Sequence, residues 1–181
     1  IVANERWDFF SADVGAAFLK GLTFKKLAEL TGEKERVIAF TPPKGSENLF
    51  RTQTELKDID FNTHVLRMLR PGFGLKDAPR AWRFALDQLM VKLDAKKLQV
   101  DKQIYYWKGV DPKTNKAKLR CILSCYVDDF RGGGEPALVK RILEEIRVQF
   151  GELKVQWKTF THCGVKHVQD NDYTICIDQN D

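Results

Sequence analysis

Two adjacent carboxylates interrupt an apolar stretch in the second half of the chain. Asp128 and Asp129 follow the run Ile122–Val127, and Phe130 comes directly after them. Burying ionised carboxylates is costly, and two unit charges ~4 Å apart repel by about 1 kcal/mol even in water. A divalent cation reverses that cost, and hard oxygen ligands suit Mg²⁺. The pair predicts either a magnesium site or an exposed hairpin tip, where Asp-Asp is simply favourable turn chemistry.

Asp13 is the leading candidate for a further ligand. It ends a short strand-like run and precedes the small residues 15–17. Successive side chains of a strand point to opposite faces, so Asp128 and Asp129 point the same way only in a turn. We expect Asp128 to be the main ligand, facing Asp13 from an adjacent strand, with Asp129 beside it. Two Mg²⁺ (or Mn²⁺) ions ~3.5–4 Å apart would serve phosphoryl transfer.

Three segments resemble the reverse transcriptase of copia-type LTR retrotransposons, and they occur in that family's order. They are Asp13–Gly21, Phe73–Trp82 and Tyr126–Asp129, of which the second is the most specific. Shorter elements extend the resemblance over nearly the whole chain: Pro42-Pro43, Gly151–Lys154 and Cys163–Val165. The resemblance implies an RNA-directed DNA polymerase, a nucleotidyltransferase that adds deoxynucleoside triphosphates to a primer 3′-hydroxyl on an RNA or DNA template.

The resemblance also implies roles for individual residues. Asp13, Asp128 and Asp129 would be the catalytic and metal-binding carboxylates, and Val14 would lend a backbone carbonyl. Phe18 would lie under the sugar of the nucleotide, where a flat ring leaves no room for a 2′-hydroxyl. The alternative for Phe18 is an ordinary core phenylalanine.

Further residues are assigned by the same resemblance. Phe73 and Gly74 would line the incoming nucleotide, since glycine lets the backbone approach a ligand closely. Lys76 and Arg80 would contact template or phosphate, or else be surface charges. Lys154 would protonate the leaving pyrophosphate as a general acid; the alternative is a solvated strand-edge lysine.

Besides Lys154, Lys158 is a second candidate for the general acid.

The sequence departs from the family at several points. Asp77 adds a carboxylate near the expected phosphate path, which is unfavourable. The glycine run 132–134 is expected to end the strand that follows the acidic pair and to be more flexible than the apolar strand of the family.

Helical and strand-like segments alternate along the chain. A helix is predicted over Pro79–Leu98 and another from Pro136, both with apolar residues at 3–4 spacing. Hairpin-like turns outnumber long crossovers. These features predict an α+β fold of the split βαβ type, an antiparallel sheet with two helices on one face. By resemblance, this is a polymerase palm with partial fingers.

Length and composition set further limits. The 181 residues carry 43% apolar residues, enough for one domain, predicted to span 1–181. No stretch approaches ~18 uncharged apolar residues, so no membrane partner is expected. The start at Ile1 without a secretory leader predicts an intracellular piece, cytoplasmic or in a virus-like particle, of a longer polyprotein. Its upstream fingers segment and its RNase H region would be missing.

Positive charge is concentrated between Lys92 and Arg120. Nine basic residues stand there against three Asp, a net charge of +6 within a total of +5. Tyr105, Tyr106 and Trp107 interleave with them, as stacking platforms for template–primer could. A solvated charged face is the alternative.

Cysteine and histidine offer a different chemistry. Cys121, Cys125, His162, Cys163 and His167 could form a zinc site, but none is arranged as Cys-x-x-Cys or His-x-x-x-His. We therefore expect core thiols.

Two functions compete with an active polymerase: a catalytically silent remnant that retains at most nucleic-acid binding, and a structural domain whose acidic turn is incidental.

Overall fold

The computed structural model describes residues 1–179, which form three antiparallel sheets and four helices. The strands are β1 (Phe10–Val14), β2 (Ile38–Phe40), β3 (Leu66–Met68), β4 (Lys96–Lys97), β5 (Ile104–Val110), β6 (Ala117–Tyr126), β7 (Asp129–Gly134), β8 (Leu153–Trp157), β9 (Thr159–His162), β10 (Val165–Gln169) and β11 (Ile175–Asp178). The helices are α1 (Phe24–Thr31), α2 (Glu47–Phe50), α3 (Ala78–Lys92) and α4 (Pro136–Phe150), with 3₁₀ turns at Ala17–Lys20 and Thr54–Leu56.

The largest sheet has six strands in the order β4-β5-β6-β7-β1-β8, and every neighbouring pair is antiparallel. Strands β1 and β6 are therefore parallel to each other, with β7 between them, and α3 lies in the connection. Strands β7 and β8 are likewise parallel, with β1 between them, and α4 connects them. The two units interleave as split βαβ motifs. The predicted α+β class with an antiparallel sheet is confirmed.

Helices α3 and α4 cover one face of this sheet. Alternate strand residues point into the core there, including Val14, Leu123 and Phe130, all 0% exposed. Leu86 of α3 and Ile146 of α4 meet them from above. This pattern follows from the period of two in strands and the apolar stripe of each helix.

A smaller sheet of β9, β10 and β11 packs near the beginning of β1 on the opposite face. The rings of Phe9 and Phe160 lie 4.9 Å apart. The Gln169 side chain accepts a hydrogen bond from the Phe9 amide at 2.8 Å and donates one to the Trp7 carbonyl at 2.9 Å. The far end of β1, where Asp13 lies, is not part of this second core cluster.

The glycine run after the acidic pair is a strand, which corrects the sequence prediction. Residues 132–134 lie within β7 and are buried. A Cβ at Gly132 would lie 2.2 Å from the Ile122 carbonyl oxygen, and one at Gly134 would lie 2.6 Å from the Cys121 Cβ. Glycine is required there because β6 and β7 approach closely, and not because the chain bends.

The end of helix α3 also differs from prediction. Helix α3 ends at Lys92 instead of Leu98, because the chain turns through Asp94 (φ +61°) and residues 96–97 pair with β5. In helix α1, the Thr23 hydroxyl caps the start and Gly32 ends the helix. Within residues 1–179, no helix has both the length and the apolar character needed to cross a bilayer.

Candidate active site

The three predicted carboxylates lie at one end of β1 and β7. The register pairs Asp13 directly with Asp129, so the two side chains share a face of the sheet. Asp128 lies in the two-residue turn between β6 and β7, and its carbonyl accepts a hydrogen bond from the Val14 amide at 3.2 Å. The expected cross-strand partner of Asp13 is therefore corrected from Asp128 to Asp129.

The turn that presents Asp128 has an unusual backbone. Val127, its first residue, adopts φ +57°, a conformation that is rare for a β-branched residue. The Val127 carbonyl accepts a hydrogen bond from the Trp82 indole nitrogen of α3 at 2.5 Å. Such strain costs on the order of 1–3 kcal/mol and persists where surrounding contacts fix it, commonly at functional sites.

The carboxylates repel one another electrostatically. Partial burial raises the pKa of Asp129, and the charges of Asp128 and Asp13 raise it further. Among residues 1–179, no ion pair engages any of the three carboxylates. The cluster therefore concentrates negative charge with no ion pair to offset it among the described residues, and a bound cation would relieve that repulsion.

The two candidate lysines occupy opposite ends of β8. Lys154 pairs with Asp13 in the register, on the same face, and is exposed. Lys158 lies beyond the other end of the strand, where its ammonium group is 3.6 Å from Asp8. The structure therefore brings Lys154, and not Lys158, next to the carboxylates.

The predicted nucleotide-binding residues also come together. The rings of Phe18 and Phe73 meet edge-to-face at 5.6 Å. Phe18 packs partly against the main core, while Phe73 is exposed and Gly74 adopts φ +83° with open space around it. Phe18 also lines a cavity of about 470 Å³ together with Trp82 and Val127. Val14 is fully buried in the main core, against which Phe18 packs.

The charged residues of the second motif are held mainly by ion pairs. The Arg80 guanidinium donates to both Glu33 oxygens at 2.9–3.0 Å, and this interaction raises the pKa of Arg80. Asp77 forms an ion pair with Arg36, so its negative charge is offset. Lys76 is exposed and makes no ion pair among the residues described.

The aromatic residues of the basic segment are mostly structural. Tyr105 is buried and its hydroxyl donates to Asp87 at 2.5 Å, and the buried Trp107 indole donates to the Leu93 carbonyl at 2.7 Å. The stacking prediction is therefore wrong for these two rings. Tyr106 alone of the three is half-buried, with the Lys108 ammonium 5.3 Å from its centroid.

The cysteines divide between the two faces of the large sheet. Cys121 and Cys125 lie in the helix-covered core, where burial raises the pKa of each thiol to about 12. The prediction of core thiols is confirmed for this pair. His162 and Cys163 lie on the other face, and their ligand atoms come within 4.8 Å of an Asp129 oxygen and of each other.

Two features of the site were not predicted from the sequence. The first is the hydrogen bond from Trp82 to the acidic turn. A tryptophan on a buried helix face needs a hydrogen-bond partner for its indole nitrogen, and this requirement could have indicated the contact. The second is the approach of Asp129 to the β9–β10 turn, which no sequence spacing encodes.

No family model, curated protein or solved structure matches the chain.

Proposed function

We propose that this chain is the palm-centred part of an RNA-directed DNA polymerase of the copia retrotransposon type. It would extend a primer 3′-hydroxyl with deoxynucleoside triphosphates on an RNA or DNA template. The observation that supports this most is the pairing of Asp13 with Asp129 across two strands, with Asp128 in the adjoining turn. The motif order in the sequence gives this cluster its polymerase interpretation.

The donor set fits magnesium or manganese. Asp13, Asp128 and Asp129 offer hard carboxylate oxygens, are only partly buried and form no ion pair among residues 1–179. When bound, Mg²⁺ supplies activation of the 3′-oxygen and charge stabilisation at the leaving pyrophosphate. The chain's own part is to hold the carboxylates on a rigid pair of strands and a strained turn.

Other side chains act on the nucleotide. Lys154, exposed beside Asp13, donates a proton to the pyrophosphate oxygen as it leaves. The Phe18 ring, supported by Phe73, excludes a sugar 2′-hydroxyl by steric contact. Gly74 leaves the backbone open to the nucleotide because nothing lies within 4 Å of a Cβ at that position.

Primer extension by the purified chain tests the proposal. Wild type is compared with Asp128→Asn and with Asp8→Asn, which changes an exposed aspartate just before β1, outside the cluster. We expect wild type and Asp8→Asn to incorporate deoxynucleotides with Mg²⁺ or Mn²⁺. Asp128→Asn should lose about 10³-fold, since metal-based charge stabilisation is worth several kcal/mol. Equal extension by Asp128→Asn would refute the assigned role.

A binding role without catalysis is the second candidate. It is favoured by the net charge of +6 between Lys92 and Arg120, which attracts a polyanionic backbone without requiring the carboxylate cluster. This candidate predicts salt-sensitive binding of RNA or DNA with no incorporation of nucleotide. Measuring binding and extension on the same protein at several salt concentrations separates the two, and a flat salt response argues against backbone contact.

A further inference from the structure

A group of side chains with different ligand chemistry lies against the acidic cluster. We propose that Asp129, His162 and Cys163 bind one borderline-soft divalent cation of the zinc class. The three side chains offer a carboxylate oxygen, an imidazole nitrogen and a thiolate sulfur, all within 4.8 Å of one another. Mixed nitrogen and sulfur ligands select zinc over magnesium, so this set differs in kind from the all-carboxylate cluster.

The β9–β10 hairpin delivers two of the three ligands. His162 pairs with Val165, which leaves Cys163 and Gly164 as a two-residue turn. Both turn residues have positive φ, +51° and +75°, the backbone of a type I′ turn. This tight turn fixes Cys163 directly after the last residue of β9 and holds its exposed thiol at the sheet surface.

The spacing needs little adjustment to coordinate an ion. Zinc bonds of about 2.0–2.3 Å in a tetrahedral site place ligand atoms about 3.3–3.8 Å apart. The present separations, up to 4.8 Å, therefore close with movements of about an ångström. Such movements are within the range of the Cys163 side chain because it is exposed.

His162 has an unmet polar group that supports the assignment. The residue is 5% exposed, and its Nδ1 is buried without a hydrogen-bond partner among residues 1–179. Leaving such a group unsatisfied in the interior opposes folding. Its neighbour His167 differs: Nδ1 lies 2.9 Å from the Val165 carbonyl and Nε2 lies 3.4 Å from Arg131. His167 is thus engaged, whereas His162 retains capacity for a ligand.

The charge balance permits a dication. The Cys163 thiol releases its proton on binding, so thiolate and carboxylate together bring two negative charges. They offset the cation despite the nearby Arg131 guanidinium. Three protein ligands leave a fourth position for water. Because Asp129 also belongs to the acidic cluster, an ion bound here would compete for that carboxylate; this last consequence alone rests on the proposed function.

Cobalt(II) titration of the purified chain tests the site, because Co²⁺ bound to thiolate gives an intense near-ultraviolet charge-transfer absorption. The band should saturate near one ion per chain and disappear on addition of excess Zn²⁺. It should be absent in Cys163→Ser and unchanged in Cys176→Ser, the other exposed cysteine, which lies in β11. Both substitutions are at exposed positions, so both variants should fold.

Asp129→Asn provides a third variant that keeps the thiol. We expect its Co²⁺ affinity to fall by more than the about 10-fold to 100-fold typical of changes around a metal's ligands. No charge-transfer band in wild type, or a band that survives Cys163→Ser, would overturn the proposal. The readout is independent of primer extension, so failure of this site and failure of the polymerase proposal are distinguishable.

Discussion

The two faces of the six-stranded sheet carry different kinds of residue on the same strands. On β1, Phe10, Ala12 and Val14 point into the helix-covered core, whereas Ser11 and Asp13 point to the opposite face. The helix-covered face thus carries packing, whereas the opposite face carries charge at the end of β1 that lies outside the second core cluster. Residues that pack the core and residues of the candidate site therefore alternate along one strand and do not occupy separate segments of the sequence.

This arrangement makes the register of β1 and β7 decisive. Asp129 and Arg131 of β7 alternate with Phe130, Gly132 and Gly134. A slip of one residue would turn the carboxylate into the apolar core and Phe130 out of it. Any residue with a Cβ at position 132 or 134 would clash with β6, so this close contact favours the present alignment and with it the position of the charged residues.

The proposed function predicts the largest effect of substitution, and it falls on the charged face. Lys154→Ala should slow primer extension by about 10²–10⁴-fold, the usual contribution of a general acid, with an unchanged melting temperature. Lys158→Ala should slow it far less, because that ammonium lies beside Asp8. Single-turnover extension measures both. A larger loss at Lys158 would transfer the role to that lysine.

The matching effect on the packed face is on stability. Leu123→Ala should lower the free energy of unfolding by about 2–5 kcal/mol, because a fully buried leucine leaves a cavity. Ile122, the next residue on the strand, is only partly buried against the smaller cluster, so Ile122→Ala should cost less. Denaturant unfolding compares them. Equal losses would contradict the difference between the faces.

A smaller effect concerns the contact between β6 and β7. Gly132→Ala should cost about 1–3 kcal/mol, since its Cβ would meet the backbone of Ile122 and one strand must move. Gly133→Ala projects to the other face, where its Cβ would lie 2.8 Å from a Val2 methyl group and no closer than 3.1 Å to backbone, at the Asp8 carbonyl oxygen. Thermal unfolding should rank Gly132→Ala as the more damaging variant, and the reverse order would contradict the clash.

The sequence predicted the packed face better than the charged one. Apolar spacing correctly indicated helices α3 and α4, because burial imposes a local period. The acidic pair indicated a candidate site, but the predicted cross-strand partner of Asp13 was Asp128 instead of Asp129. This error arose because the strand register depends on the β6–β7 alignment. The glycine run looked flexible because composition does not show a neighbouring backbone. His162 and Cys163 reach Asp129 only through tertiary packing.

The smallest effect tests repulsion within the acidic cluster. Asp129→Asn should raise the melting temperature near neutral pH in the presence of a chelator. Burial, Asp128 and Asp13 raise the pKa of Asp129 above its unfolded value, so the ionised group opposes folding. Two charges about 4 Å apart in water repel by about 1 kcal/mol. A gain of that size is about 2–4 °C for a chain of this length.

The gain in melting temperature of Asp129→Asn should depend on pH, and linkage gives the direction of that dependence. Between the unfolded pKa of about 3.9 and the raised folded pKa, the native state binds more protons than the unfolded state. Wild-type stability therefore rises as the pH falls through the folded pKa, and the advantage of Asp129→Asn should shrink over that window. Asp8→Asn, outside the cluster, should show no such convergence. An Asp129→Asn variant that melts below wild type at pH 7 would show that the carboxylate stabilises the fold, and the charged face would then contribute to stability as the packed face does.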